Sequence, residues 1–106
     1  SYLNPLDTIA LKRILTEPKN ALVKQYVKIF ELDGIKLSFD KEVFDFIVEK
    51  AIEYQLGARG LRSICEAILT DAMFDYPSSK HKKLNVTLDY AKGKFKKSKL
   101  AKLKVA

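Results

Sequence analysis

The 106-residue chain is short of the residues that usually carry chemistry: it has one Cys, one His, one Met and no Trp. A lone cysteine, Cys65, excludes an internal disulfide and any multi-cysteine zinc site, and it fits a reducing compartment. The single histidine, His81, falls in the polar run Ser78-Ser79-Lys80-His81-Lys82-Lys83, where a solvated loop residue is expected rather than a ligand or a base. No apolar stretch reaches the roughly 20 residues that a membrane-spanning helix needs, and no charged-then-apolar signal opens the chain. The length predicts one domain with a modest core. The first residue is Ser rather than Met, so we expect a piece of a longer, soluble, intracellular protein.

Two further absences bear on catalysis. There is no Gly-rich loop ending in Gly-Lys-Ser/Thr, and no apolar strand ending in Asp-Glu to hold magnesium, so unaided nucleotide hydrolysis is not expected. No Ser or Cys has a His placed to activate it. Glu49 and Glu53 stand one helical turn apart, but on a helix whose other face is core, so they are expected to be solvated. The chain therefore offers no catalytic and no metal-ligating residues, and a binding role is the better expectation.

The net charge of +7 invites a nucleic-acid reading until its distribution is considered. Residues 1–90 hold 13 Lys+Arg and 13 Asp+Glu, which cancel, whereas residues 91–106 hold seven Lys and no acid. Such a tail can bind a polyanion by counterion release. With no Arg, and with Phe95 its only aromatic, it is a poor surface for stacking bases.

Periodicity predicts mostly helix. A first helix starts at Asn4-Pro5 or at Asp7, both N-cap types, and its apolar stripe is Ile9, Ala10, Leu11, Ile14 and Leu15. Pro18 interrupts it. A second helix runs from there to about Leu32, with Leu22, Val23, Tyr26, Ile29 and Phe30 at core spacing, and Gly34 suits a left-handed stop. Ile35-Lys36-Leu37-Ser38-Phe39 alternates as a short strand. Asp40 is expected to cap a third helix, with Phe39 and Phe44 as a hydrophobic staple and with Val43, Phe44, Ile47, Val48, Ala51 and Ile52 facing the core. A fourth helix follows the loop Gln55-Leu56-Gly57 and buries Leu61, Ile64, Cys65, Ile68, Leu69, Ala72 and Met73. Pro77 closes it. Leu84-Asn85-Val86-Thr87-Leu88 alternates as a second strand, Tyr90 to Lys99 can form a short helix, and Leu103-Lys104-Val105 a third strand. The expected fold is α+β, a four-helix cluster on a small two- or three-stranded sheet.

The most distinctive run, Gly57-Ala58-Arg59-Gly60-Leu61-Arg62, puts two guanidinium groups at a helix start. Unpaired N–H groups of a first turn and the positive end of the helix dipole favour an anion there, and Arg adds a donor fork that fits phosphate oxygens. Gly57 frees the turn, and Gly60 admits a close neighbour. On chemistry alone, a solvated cap is the commoner role for such a run.

Three segments together resemble a known family: Leu15-Thr16-Glu17-Pro18-Lys19-Asn20-Ala21-Leu22-Val23-Lys24-Gln25-Tyr26, then Gly57-Ala58-Arg59-Gly60-Leu61-Arg62-Ser63-Ile64, then Met73-Phe74-Asp75-Tyr76-Pro77-Ser78. They look like the C-terminal small domain of the ClpX family, AAA+ unfoldases that feed the ClpP peptidase. The likeness spans about residues 3 to 90, and the first segment separates it from the related ATPase HslU, which shares a Gly-Ala-Arg element but not that run. It implies that Arg59 is the sensor-2 arginine, reaching the phosphates of ATP beside Gly57 and Ala58, with Arg62 supporting the same face or pairing with an acid. It also implies that residues 1–4 end the hinge to a large ATPase domain, which would hold the magnesium, and that residues 5–106 form one small domain. The implied partners are that large domain, the neighbouring subunit of a homohexamer and, through regions outside this sequence, a ClpP-type peptidase. The implied setting is the bacterial cytosol or the mitochondrial matrix. Surface that packs on large domains should then be exposed, with Tyr76-Pro77 and parts of the first helix as candidates. A basic nucleic-acid module using the tail, or a stand-alone protein-interaction domain, stays open as an alternative.

Overall fold

In a computed structural model, which describes residues 5–17, 22–75 and 82–98, the chain runs α1 (Pro5–Thr16), α2 (Leu22–Leu32), β1 (Lys36–Phe39), α3 (Lys41–Glu53), α4 (Gly57–Asp75), β2 (Lys83–Val86) and α5 (Leu88–Lys97). β1 and β2 pair in parallel, from Lys36 opposite Lys83 to Phe39 opposite Val86. A parallel pair needs a long crossover, and α3 and α4 supply it. The expected hinge end at residues 1–4, together with Pro18, Tyr76-Pro77, His81 and the third strand expected at 103–105, lies outside the described residues.

The α+β class holds, with a fifth helix where Tyr90 to Lys99 allowed a short one. Gly34 takes the expected left-handed conformation at φ 75° and ends α2. The staple at the start of α3 forms, with the Phe39 and Phe44 rings 5.7 Å apart. Asp40 occupies the N-cap position, but its side chain makes no cap hydrogen bond. It accepts instead from Asn85 Nδ2 at 3.2 Å, and Ser38 Oγ donates to Asn85 Oδ1 at 2.9 Å. A cross-strand network has taken the carboxylate that local sequence assigns to the helix.

The core gathers Leu11 and Leu15 of α1, Tyr26 and Phe30 of α2, Val43, Ile47 and Val48 of α3 and the whole expected stripe of α4 except Met73, which is half-buried. Several assignments change. Of the expected α1 stripe only Leu11 and Leu15 are buried, while Ile9, Ala10 and Ile14 are exposed, and Val23 and Ile52 are half-buried at the edge of the core. Ile29 is 46% exposed because α2 packs on one side only. Phe44 stays half-buried in the staple. Phe46, not expected inside, is buried because α5 covers that side of α3. There Phe95 meets Phe46 and Tyr54 edge-on, at 5.8 and 5.5 Å between ring centroids. The second strand is shorter than expected, since Thr87 leaves the sheet to cap α5 by accepting from the Tyr90 N–H at 3.2 Å.

Candidate functional site

The Gly57–Arg62 run forms the first turns of α4 because the chain turns sharply before it. Gln55 and Gly57 both take positive φ, 56° and 63°, a conformation that costs a glycine nothing. Between them Leu56 folds back so tightly that a Cβ on Gly60 would lie 2.1 Å from the Leu56 Cβ. Gly60 therefore serves the close approach expected of it, and the loop is locked to the helix it precedes.

This lock fixes what the helix start displays. The first turn of α4 contains no acidic residue, so the partial positive charge of its N–H groups is left uncompensated. Arg59 is exposed and makes no hydrogen bond or ion pair with any described residue. Gly57 and Ala58 line an open cleft of about 550 Å³, walled by Ala10 and Leu11 of α1 and by Ala51, Ile52 and Gln55. Arg59 itself does not line the cleft but follows Ala58 in the chain, and a cationic fork on the helix turn beside a largely apolar hollow can hold a phosphate chain while a flat ring lies in the hollow.

Arg62 is placed differently. Its Nη2 donates to Gln25 Oε1 of α2 at 3.1 Å, so its partner is an amide rather than an acid. Next to Gln25, Tyr26 is buried, and its hydroxyl has no hydrogen-bond partner among the described residues. Burial chiefly, then the nearby Cys65 and Glu66, pushes that hydroxyl up to about 12, while the Arg62 guanidinium, close but outside good donor geometry, pulls the other way. Burial likewise pushes the Cys65 thiol up to about 12, against Arg62, so it is core packing and not a nucleophile. Gln25 and the cleft walls carry no local signal of these roles. Gln25 is 37 residues from Arg62, and only the fold brings them together.

Elsewhere the surface offers less. Among the described residues no group of His, Cys, Asp and Glu could hold a metal ion, and no helix is long and apolar enough to cross a membrane. Phe95, the one aromatic that base stacking on the tail would need, is buried. Lys94, on the same helix, is tied to Asp71 at 2.8 Å, which raises the lysine and lowers the carboxylate. Both observations weigh against the nucleic-acid alternative. Ile9 and Ile14 of α1 and Phe74 near the end of α4 are exposed, consistent with the first helix as a candidate docking surface.

Residues 6–89 match the family described as the C-terminal, D2-small domain, of ClpB protein. The ATP-dependent Clp protease ATP-binding subunit ClpX of Bacteroides thetaiotaomicron is 59% identical over 106 residues, which is all of this chain and 26% of that protein. The protein of the same name from Porphyromonas gingivalis is 59% identical over 91 residues, 86% of this chain and 22% of its own length. The one from Borrelia duttonii is 49% identical over 90 residues, 84% and 21% respectively. The chain thus spans about a fifth to a quarter of the length of these relatives.

Proposed function

Because the chain belongs to the family of the C-terminal D2-small domain of ClpB, an AAA+ chaperone small domain of the ClpX/ClpB type, we propose that it is the nucleotide-sensing small domain of an ATP-dependent protein unfoldase that delivers substrates to a ClpP-type peptidase. The observation that carries this reading is Arg59: exposed, without a partner among the described residues, and standing on an acid-free helix start beside the cleft. That donor set is cationic and suits the phosphates of ATP. The magnesium would be held by the large domain, as the likeness to the ClpX family implies.

In this reading residues 1–4 end the hinge, and residues 5–106 form the lid. ATP bound mainly by the large domain supplies the charge that Arg59 grips. Arg59 reaches it only while the two domains are closed, so the closed and open states differ in affinity and nucleotide binding biases the hinge. A charge-assisted hydrogen bond of this kind is worth roughly 1.5–3 kcal/mol, enough to move an equilibrium by about one to two decades. Gly57 and Ala58 let the ligand approach the backbone, and Ala10, Leu11 and Ile52 offer the base an apolar wall. The exposed Ile9, Ile14 and Phe74 are candidates for packing on large domains around a hexameric ring. The cytosol is the compartment that fits this work.

The test uses a longer protein in which this domain follows its large domain. Arg59→Ala should impair ATP hydrolysis and unfolding of a tagged substrate while the melting temperature holds. Arg59→Lys should rescue poorly, because an ammonium does not reproduce the fork. Wild-type hydrolysis by Arg59→Ala would remove the sensor role.

A further inference from the structure

The two arginines of the Gly-Ala-Arg-Gly-Leu-Arg run are not equivalent. Three residues apart on α4, they differ in what holds them: Arg59 is free of described partners, whereas Arg62 is committed to α2 through Gln25. The seam that Arg62 crosses is short, since α2 touches α4 much less than α3 does. At this seam lies the buried Tyr26, whose hydroxyl has no hydrogen-bond partner among the described residues. A guanidinium has five donors in a rigid plane, so one group can hold Gln25 and still present a positive edge to the Tyr26 oxygen. An ammonium has neither the plane nor the reach.

We propose that Arg62 is a positioning residue: by gripping Gln25 beside the buried Tyr26 it fixes the first turns of α4 against α2, and so sets the direction in which Arg59 presents its guanidinium to a phosphate. The inference rests on the reading of Arg59 as the phosphate contact, and it removes Arg62 from the set of ligand-binding residues. Its physical basis is that a bidentate contact demands alignment as well as charge. A small rotation of a helix start displaces the end of a long arginine side chain by more than it displaces the backbone.

The probe is inorganic tripolyphosphate, titrated into the 106-residue chain and its variants and followed by the backbone amide resonances of residues 57–62 at several salt concentrations. Arg59→Ala should weaken binding and lessen its salt dependence, because a direct cation contact is lost. Gln25→Ala and Arg62→Ala should each weaken binding about two- to tenfold, the range of a single hydrogen bond, with the salt dependence of the wild type and with faster amide exchange at 57–61. Arg62→Lys, which keeps the charge, should not restore affinity. Wild-type affinity in Gln25→Ala, full rescue by Arg62→Lys, or a reduced salt dependence in Arg62→Ala would each overturn the positioning role. If instead Arg59→Ala binds as tightly as the wild type, it is the reading of Arg59 that has failed.

Discussion

At the scale of single residues, the glycines and arginines of α4 divide stability from function. Ala is preferred over Gly in a helix interior by about 1 kcal/mol, so Gly60→Ala should stabilise α4 if propensity decided the matter. It does not, because the added methyl would sit 2.1 Å from the Leu56 Cβ, and forcing an atom into such a contact costs about 1–3 kcal/mol. Thermal melting should show Gly60→Ala less stable than the wild type. Because the clash is with the Leu56 Cβ itself, a further Leu56→Ala change should give no relief. Arg59 behaves in the opposite way. An exposed side chain with no described partner contributes little to the fold, and Arg59→Ala should alter stability by no more than about half a kcal/mol. The need for Gly60 was legible from its place in the run. The separation of Arg59 from Arg62 was not, since a three-residue spacing puts both near one face and says nothing of where α2 lies.

At the scale of elements, α5 shows how a basic, weakly apolar segment is held. Its buried residues are only Ala91 and Phe95. Phe95 does most of the docking, edge-on to Phe46 and Tyr54, with the Lys50 Nζ 5.6 Å from the Phe46 centroid and 6.0 Å from that of Phe95. Phe95→Ala should therefore cost about 3–5 kcal/mol, as for other buried aromatics, measured by urea unfolding. A mere detachment of α5, with α1 to α4 unchanged in stability, would show that the aromatic cluster is not part of the common core. The α3 cap makes the complementary point. Asp followed by a helical pattern, with Phe39 and Phe44 flanking it, marks the start of α3 correctly, yet the Asp40 carboxylate bonds to Asn85. Local sequence located the boundary and missed the partner, because β2 reaches Asp40 only after α3 and α4 have crossed over.

At the scale of the whole molecule, two buried protons tie the fold to pH. Burial raises Cys65 from its ordinary 9.0 and Tyr26 from 10.0, each to about 12. Between about pH 9 and 12 the unfolded chain therefore holds fewer protons than the folded one, so stability is complete below this window and declines as pH rises through it. Melting followed across that range should show the decline. Cys65→Ala, though less stable at neutral pH from lost packing, should decline less steeply, and equal slopes would mean that the thiol is not held protonated by the core. By itself the sequence determined where the helices lie, the buried stripe of α4 from Leu61 to Ala72, the stop at Gly34, the staple and the likeness to the ClpX small domain, because these depend on residue type at spacings of a few positions. Tertiary structure alone decided the parallel pairing of β1 with β2, the burial of Phe46 beneath α5, the exposure of Ile29, the cleft beside Gly57 and Ala58, and the commitment of Arg62 to Gln25. Each of those joins residues from separate elements, and such contacts are settled by how the helices pack rather than by the order in which their residues are written.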